Sequence, residues 1–272
     1  MPDVLLVERS GSVETWTLNL PHSRNPISGP EVVDALVDSA DRVDRDPDVR
    51  CVVLTGSGSA FSSGGNLREM AQRTGMFSGG PYEQRTSYRH GIQRVALALH
   101  GCEVPLIAAV NGPAVGAGCD LAMMCDLRIA SERAFFAESF VQLGLIPGDG
   151  GAWFLTRIIG AARAAEMTLT GDRIDAVTAL EWGLISRMTS HETLLEEAHT
   201  LAARIAKNPP HAVRMAKKLL RESQTRDLGG VLELSAAMQA LSHHTEHHAQ
   251  VMDQIARRMA EGRGADAAGR GS

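Results

Sequence analysis

The sequence has few aromatic residues and few cysteines. Phe, Trp and Tyr make up 4% of its 272 residues, and four residues are cysteines. No two cysteines form a C-x-x-C pair and no cysteine–histidine spacing matches a zinc site, so the pattern predicts neither a redox motif nor a zinc centre. Cys51 and Cys119 lie in apolar runs, where we expect buried, reduced thiols.

The chain also lacks an excess of basic residues and an uninterrupted apolar segment. Its net charge is -5, which argues against a nucleic-acid partner. The longest apolar stretch, 104–125, is broken by Asn111, Pro113 and Asp120, so a strand, turn and helix explain it better than a membrane span. The N-terminal residues have no basic region, and we therefore expect no signal peptide, no membrane partner and a cytoplasmic location.

Two glycine-rich turns dominate what is present. Each follows an apolar run that predicts a buried strand, 51–56 in one case and 106–110 in the other. The turns cover 61–66 and 111–120, and a helix is predicted after each. Helix entrances present free backbone N–H groups. Two such donors aimed at one point would hold a negatively charged oxygen.

The remaining pattern predicts an α/β core. Val4–Glu8 and Val13–Leu18 are predicted strands of a hairpin that turns at Ser10 and Gly11. A helix is predicted over Glu31–Val43, before the strand Cys51–Leu54, and this alternation favours an α/β layer structure.

Further along, Gly75–Pro81 is predicted to be a mobile loop and Tyr88–Leu99 a helix. Strands are predicted at 126–130 and 134–137, whereas the chain from Ala152 onward is predicted to be helical without strands. We expect an α/β core over 1–200, a helical C-terminal oligomerisation region over 201–261, and a disordered tail over 262–272.

Several blocks resemble the crotonase superfamily, the enoyl-CoA hydratase/isomerase fold. Their order and spacing carry the resemblance, which covers nearly the whole chain. The blocks are Phe61–Met70, Val110–Asp126, Leu143–Gly151, Leu169–Gly171 and Trp182–Ile185.

This resemblance implies a spiral of ββα units, a helical C-terminal region and a homotrimer or dimer of trimers. It implies acyl-CoA thioester substrates, with no cofactor besides the coenzyme A of the substrate and no metal. The thioester oxygen would be held by the backbone N–H groups of Gly65 and Ala117. Residues expected to bind the substrate or its CoA part are Arg24, Ser63, Gly64, Asn66, Leu67, Gly116 and Phe140.

The acid and base depart from the family pattern. Hydratases of the family use two glutamates, which align with Asp120 and Phe140 here, and phenylalanine cannot transfer a proton. Glu138 would share a face with Phe140 if the segment were extended. The replacement candidate is Asp149, in an apolar, glycine-rich loop where burial favours the neutral acid.

Both aspartates also have structural interpretations. Asp149 could be a turn or N-cap residue before a helix, and Asp120 could complement the dipole of the helix that begins near Gly118. Several isomerases of the superfamily carry an aspartate one position earlier, at Gly148. A branch resembling 6-oxocamphor hydrolase carries Pro-Gly-Asp-Gly in the same register as this chain.

Basic and histidine residues near the C-terminus offer weaker signals. Lysines 217 and 218 and arginines 257 and 258 could meet the CoA phosphates or be exposed helix charges. Histidines 243, 244, 247 and 248 form two i, i+4 pairs that could chelate a metal or lie on a partly exposed helix.

We therefore predict an acyl-CoA enzyme of the hydratase/isomerase type that stabilises an enolate, with Asp149 and Asp120 moving protons. Double-bond isomerisation or a specialised hydration is favoured over simple hydration. One alternative is C–C bond hydrolysis of a β-dicarbonyl compound, and another is a non-catalytic acyl-CoA binder. The pocket walls are expected in the segments 70–88 and 140–143.

Overall fold

The computed structural model describes the backbone of residues 3–269 and the side chains of residues 3–259. The chain divides into two compact units, Met1–Ala206 and Lys207–Ser272. The boundary predicted at residue 200 falls inside the last helix of the first unit. The backbone is helical as far as Gly269, and residues 270–272 of the predicted tail lie outside the described residues. Disorder of that tail stays a prediction.

The strands of the described chain form two sheets in the first unit. A six-stranded sheet has the order β1-β2-β3-β4-β6-β9, and a three-stranded sheet has the order β5-β7-β8. The strands are β1 (Leu5–Ser10), β2 (Val13–Leu18), β3 (Cys51–Gly56), β4 (Leu106–Val110), β5 (Ala114–Val115), β6 (Leu127–Ser131), β7 (Phe135–Ala137), β8 (Arg173–Asp175) and β9 (Arg187–Thr189).

Helices connect and cover these strands in the first unit and make up the second unit. Those of the first unit are α1 (Pro30–Arg45), α2 (Leu67–Gln72), α3 (Pro81–His90), α4 (Gln93–Gly101), α5 (Ala117–Met124), α6 (Gly151–Ile158), α7 (Gly160–Thr170), α8 (Ala176–Trp182) and α9 (Leu194–Ala206). Those of the second are α10 (Pro210–Glu222), α11 (Leu228–His243) and α12 (Glu246–Gly269).

The predicted α/β class is confirmed. β1 and β2 form the predicted hairpin around Gly11, whose φ of 60° suits the tight turn. From β2 onward every pairing in the large sheet is parallel. Helices therefore connect successive strands, as parallel pairing requires.

Two predictions of local structure were wrong. Strands do occur after Ala152, and they were missed because β8 and β9 each contain only three residues, too few to show an alternating pattern. The helix predicted over 88–99 is two helices, α3 and α4, separated at Gly91. The loop predicted at 75–81 includes a 3-10 turn, Gly75–Phe77, and its mobility stays a prediction.

The core is divided by the large sheet because alternate residues of each strand face opposite ways. Val52 and Leu54 of β3 pack into the larger cluster, whereas Cys51 and Val53 pack into the smaller one beneath α9. All four cysteines are buried and reduced, as expected for Cys51 and Cys119. In the described part of the chain, no helix is both long and apolar enough to cross a membrane.

Candidate active site

The two glycine-rich turns lie side by side in the first unit. Ser62 and Ala114 form a parallel β-bridge, and the Val115 N–H donates to the Ser62 carbonyl at 3.0 Å. On its other side the first turn is bridged to the chain before α1, where the Ile27 N–H donates to the Gly64 carbonyl at 2.8 Å. Main-chain hydrogen bonds therefore fix the position of one turn against the other.

Glycine is required where the turns touch. Gly64 has a φ of 79°, and a Cβ there would meet the Val115 carbonyl oxygen and the Ala117 amide nitrogen. A Cβ on Gly118 would collide with the Ser62 carbonyl. The close approach of the two main chains thus excludes any larger residue at these two glycines.

Asn25 anchors the segment beside the first turn. Its side chain is buried, and Nδ2 donates to the carbonyls of Ser57 and Ala60 at 2.9 Å each, while Oδ1 accepts from the Leu20 N–H at 2.9 Å. Ser62 Oγ donates in turn to the Asn25 carbonyl at 2.7 Å. These buried bonds connect strand ends that are distant in sequence and hold the turn in one conformation.

Two amide donors in these turns have no acceptor. The N–H groups on either side of Gly65 are occupied, because Gly64 donates to Ser62 Oγ at 3.1 Å and Asn66 donates to Ser28 Oγ at 3.0 Å. Among the described residues, no acceptor is bonded to the N–H of Gly65 or to that of Ala117, the first residue of α5. Unpaired N–H groups at a helix entrance are suited to bind an anionic oxygen.

Gly65 and Ala117 both line one cavity of about 260 Å³. Its walls are mostly apolar and come from both segments in which pocket walls were predicted. The apolar side chains in the lining are Leu67, Met70, Met76, Phe77, Tyr88, Ile92, Val115, Ala137, Phe140, Leu143 and Leu145.

Asp149 is the carboxyl in this cavity wall, and no other acidic residue of the described chain lines it. Its side chain is 4% exposed, and Oδ1 has no hydrogen-bond partner among the described residues. Burial raises the pKa of Asp149 to about 6. The N-cap position of α6 belongs to Gly150 and shows no side-chain cap, so the capping interpretation of Asp149 was wrong.

Residues of α3 and α4 contact the loop that carries Asp149 and fix its position. Gln93 Nε2 donates to the Gly148 carbonyl at 2.8 Å. The Tyr88 ring packs on Gly148 so closely that a Cβ there would lie 3.0 Å from Tyr88 Cε1. Burial, and then the charge of Asp149, raise the pKa of Tyr88, so its hydroxyl stays protonated beside the carboxyl.

Asp120 and Glu138 lie behind the cavity wall. Both side chains are fully buried, and neither lines the cavity. Burial is the main cause that raises the pKa of Asp120 well above its usual range, followed by the charges of Glu138 and Asp149. Burial likewise raises the pKa of Glu138.

Phe140 lines the cavity where the resemblance placed a second glutamate. Its ring packs on Gly116, whose missing Cβ would lie 3.6 Å from Phe140 Cζ. The expectation that an extended segment would put Glu138 and Phe140 on one face was wrong, because Ser139–Leu143 is a 3-10 helix that begins after Glu138.

A family model described as Enoyl-CoA hydratase/isomerase matches residues 8–261. The chain belongs to the enoyl-CoA hydratase/isomerase family. A probable enoyl-CoA hydratase of Rhizobium meliloti is 40% identical over 222 residues, covering 81% of this chain and 82% of that protein. The 2,3-dehydroadipyl-CoA hydratase of Escherichia coli is 35% identical over 220 residues, with the same coverages.

Solved structures agree with the family. The crystal structure of an enoyl-CoA hydratase from Bacillus anthracis has a TM-score of 0.87 and 30% identity, and the match covers 94% of this chain and 96% of that chain. The resemblance to the crotonase superfamily and its fold are therefore confirmed, and the protein is an enzyme of the enoyl-CoA hydratase/isomerase type.

The other predicted site residues divide into two groups. Ser63 and Leu67 line the cavity together with Gly116 and Phe140, whereas Arg24, Gly64 and Asn66 do not. Asn66 is the N-cap of α2, where Oδ1 accepts from the Arg68 N–H at 3.1 Å and Nδ2 donates to Glu69 Oε1 at 2.7 Å.

Arg173 is a cavity residue that sequence reasoning missed. It lies on the three-residue strand β8, and its guanidinium is 4.6 Å from the centre of the Phe135 ring. Because β8 was not predicted, no signal in the sequence pattern placed Arg173 beside the cavity.

The basic and histidine candidates lie in the second unit, where Lys217 and Lys218 belong to α10 and Arg257 and Arg258 to α12. The four predicted histidines do not share one helix, because α11 ends at His243 and α12 begins at Glu246. His243 Nδ1 and His248 Nε2 lie 3.2 Å apart. Among residues 3–259, whose side chains the structure describes, no group of three or more potential metal ligands is present.

Proposed function

We propose that the protein isomerises the double bond of an enoyl-CoA thioester by a one-carboxyl proton shuttle through Asp149. The N–H groups of Gly65 and Ala117 hold the thioester oxygen. The observation that carries the proposal is that Asp149 is the sole carboxyl in the described cavity wall. Isomerisation needs one group that takes and returns a proton, whereas the two-glutamate hydration of the family needs a second carboxyl.

The proposed reaction begins with a 3-enoyl-CoA. Asp149 takes a proton from Cα, the C–H electron pair moves into the conjugated system, and negative charge develops on the thioester oxygen between the two amides. Asp149 then returns the same proton to Cγ, which leaves the conjugated 2-enoyl-CoA. No water, oxidant or other cofactor is consumed, and the only coenzyme is the CoA of the substrate.

The pKa of Asp149 suits both halves of this shuttle. A carboxyl with a pKa of about 6 is mostly ionised at neutral pH and can take a proton, yet it holds that proton well enough to deliver it. Phe140 also favours isomerisation over hydration, because an aromatic ring in place of the second carboxyl leaves no group there to activate water.

The test compares isomerase and hydratase turnover on one acyl series, with 3-enoyl-CoA and 2-enoyl-CoA substrates of matched length. We expect kcat/KM for isomerisation to exceed that for hydration by at least tenfold. Asp149→Asn should lower isomerisation by about 10²- to 10⁴-fold, the range of a lost general acid–base. Asp38→Asn, an exposed aspartate of α1, is the matched control and should leave turnover unchanged.

Hydration that is faster than isomerisation and survives in Asp149→Asn would overturn the proposal. The relatives named above are described as hydratases, so this outcome would indicate that the protein is a hydratase as well. Cleavage of a β-dicarbonyl compound without isomerisation would instead support the C–C hydrolase.

The proposal includes the assembly and the location that the resemblance implies. We propose a cytoplasmic homotrimer or a dimer of trimers, with the helical second unit taking part in subunit contacts. That unit carries exposed apolar side chains, including Leu228, Leu232 and Leu241. Light scattering coupled to size-exclusion chromatography separates the trimer, the hexamer and a monomer by mass.

A further inference from the structure

Asp120 and Glu138 form a buried pair of carboxyls behind the cavity. Asp120 is in the first turn of α5, and Glu138 directly precedes the 3-10 helix Ser139–Leu143. Both meet at Gly151, the first residue of α6, where an added Cβ would collide with Asp120 Oδ1 and lie 2.9 Å from Glu138 Oε2. The absence of a side chain at Gly151 therefore lets the two carboxyls approach each other.

Among the described residues, no cation is found that would neutralise two negative charges at this place. None of the four side-chain oxygens makes a well-aligned hydrogen bond to a donor of the described residues. The groups that face the pair are the Cys119 thiol, the Asp149 carboxyl and the Gly151 N–H, and no lysine or arginine is among them. Two adjacent, fully buried carboxylates without a cation cannot both be ionised at moderate pH.

We propose that Asp120 and Glu138 share a proton and that Glu138 is a positioning residue, which joins the first turn of α5 to the start of α6 and so fixes Asp149. This inference rests on the proposed role of Asp149 in proton transfer. Ala117, the proposed amide donor, is the first residue of α5. Asp149, the proposed proton-transfer group, lies two residues before Gly151, the first residue of α6. The shared proton would therefore fix the relative position of these two groups.

The order in which the three carboxyls ionise agrees with this arrangement. Burial alone brings the pKa of Asp149 to about 6. Burial is the main cause that raises the pKa of Asp120, and the charges of Glu138 and Asp149 raise it further. Burial raises the pKa of Glu138 to about 7, although hydrogen bonds with Asp120 and Cys119 act to lower it. Asp149 therefore ionises before Asp120, and at neutral pH an active base lies in front of a pair that still holds one proton.

Loss of the shared proton at higher pH would act on the site in two ways. A second negative charge would appear behind the Ala117 amide, where it opposes the charge that develops on the thioester oxygen. The two carboxylates would also repel each other across Gly151 and displace the start of α6. Activity should therefore fall on the alkaline side as the pair ionises.

Infrared spectroscopy of the protein without substrate tests the shared proton directly. We expect the carbonyl stretch of a protonated carboxyl in the wild type at pH 7.5, and the same band in Asp149→Asn. The band should be absent from the double variant Asp120→Asn, Glu138→Gln, in which neither side chain of the pair can carry a carboxyl proton. A wild-type spectrum without this band, or a band that disappears only in Asp149→Asn, would overturn the proposal.

The pH dependence of isomerisation tests the positioning role. In Glu138→Gln the amide keeps the shape but cannot ionise, so kcat/KM at pH 7 should fall about threefold and the alkaline limb should move up by at least about one pH unit. Glu166→Gln, which removes an exposed charge from α7, is the control and should keep the wild-type profile. An unmoved alkaline limb in Glu138→Gln would contradict the role.

The two proposals can fail separately. If Glu138→Gln does not fold, the infrared spectrum of the wild type still decides whether the pair holds a proton. If the infrared band is present but the protein isomerises no enoyl-CoA, the shared proton of Asp120 and Glu138 is supported and the proposed isomerase function is refuted.

Discussion

Gly64 lies against Ala117 so closely that a Cβ on Gly64 would be 2.9 Å from the Ala117 amide nitrogen. The two turns that present the free amides are thus in direct contact, and the space between them is smaller than a methyl group. A change at Gly64 acts on an amide that is 53 residues away in the sequence.

Gly64→Ala should therefore displace the Ala117 N–H and lower kcat by about 10²- to 10³-fold, as expected when one oxyanion donor is lost. Gly183→Ala is the matched control, because Gly183 has nearly the same φ, 78° against 79°, and has no atom within 4 Å of its Cβ position. Both variants should lose about 1 kcal/mol of stability through backbone strain, and Gly64→Ala should lose more because its Cβ meets backbone atoms, but only Gly64→Ala should lose activity. Equal kcat values in the two variants would refute the link.

The pH dependence of the wild-type enzyme should show the pKa of Asp149. The ionised form takes the first proton, so kcat/KM should rise with pH through about 6, before the alkaline fall that ionisation of the Asp120–Glu138 pair would cause. Initial rates of isomerisation between pH 4 and pH 9 measure this limb. A limb near pH 4, the range of an exposed aspartate, would exclude a buried carboxyl as the base.

Asp149→Asn should stabilise the fold although it inactivates the enzyme. The folded-state pKa of about 6 lies above the ordinary value of 3.8, so the ionised form is less favourable in the folded state and wild-type stability falls as pH rises between these values. The variant avoids this cost, which corresponds to about 3 kcal/mol above pH 6.

Urea unfolding of both proteins at pH 4, 6 and 8 measures this difference. The gain of the variant should be smallest at pH 4, larger at pH 6 and close to its full value at pH 8. A gain that is equal at all three pH values would show that the ionisation of Asp149 is not its origin.

A second carboxyl in the cavity should change the reaction. Phe140→Glu places an acid on the wall where the resemblance expects one, so the ratio of hydratase to isomerase turnover should rise by at least about tenfold. Phe140→Leu removes the ring without adding an acid and should leave the ratio near the wild-type value. An unchanged ratio in the glutamate variant would mean that the missing carboxyl does not set the reaction.

Glu14 should make the fold sensitive to acid. Its buried carboxylate accepts from Arg42 Nη1 at 2.8 Å, Arg42 Nη2 at 2.6 Å and Trp16 Nε1 at 2.9 Å. Burial alone would raise the pKa of Glu14, but these bonds and the Arg42 charge lower it. The resulting stability is present above pH 4.5 and is lost as pH falls through the lowered pKa.

Glu14→Gln should cost about 2 kcal/mol at pH 7 and less at pH 3, because one partner of a partly exposed ion pair is removed. Thermal unfolding at both pH values provides the measurement, with Glu8→Gln on the exposed face of β1 as the control. A cost that does not decrease in acid would contradict the assignment.

The sequence predicted the parts of the site that depend on backbone geometry. The two glycine-rich turns follow buried strands at helix entrances, which the local pattern predicts, whereas the choice of Gly65 and Ala117 within them came from the family resemblance. Asp149 was found because an acid in an apolar, glycine-rich loop is unusual.

The meeting of Asp120 and Glu138 at Gly151 could not be predicted, because it joins three elements that are distant in sequence. Arg173 was missed for a related reason, since a strand of three residues has too few positions to show a period. Pairing with β7, and not local preference, makes that segment extended.

The contact between Tyr88 and Gly148 connects the size of the substrate to its chemistry. Tyr88 belongs to the cavity wall, and Gly148 is the neighbour of Asp149. We expect an acyl chain that is too bulky for the wall to press the ring against the glycine and to move the carboxylate away from the carbon that it would have to reach. Selection among acyl chains should then appear in turnover as well as in binding.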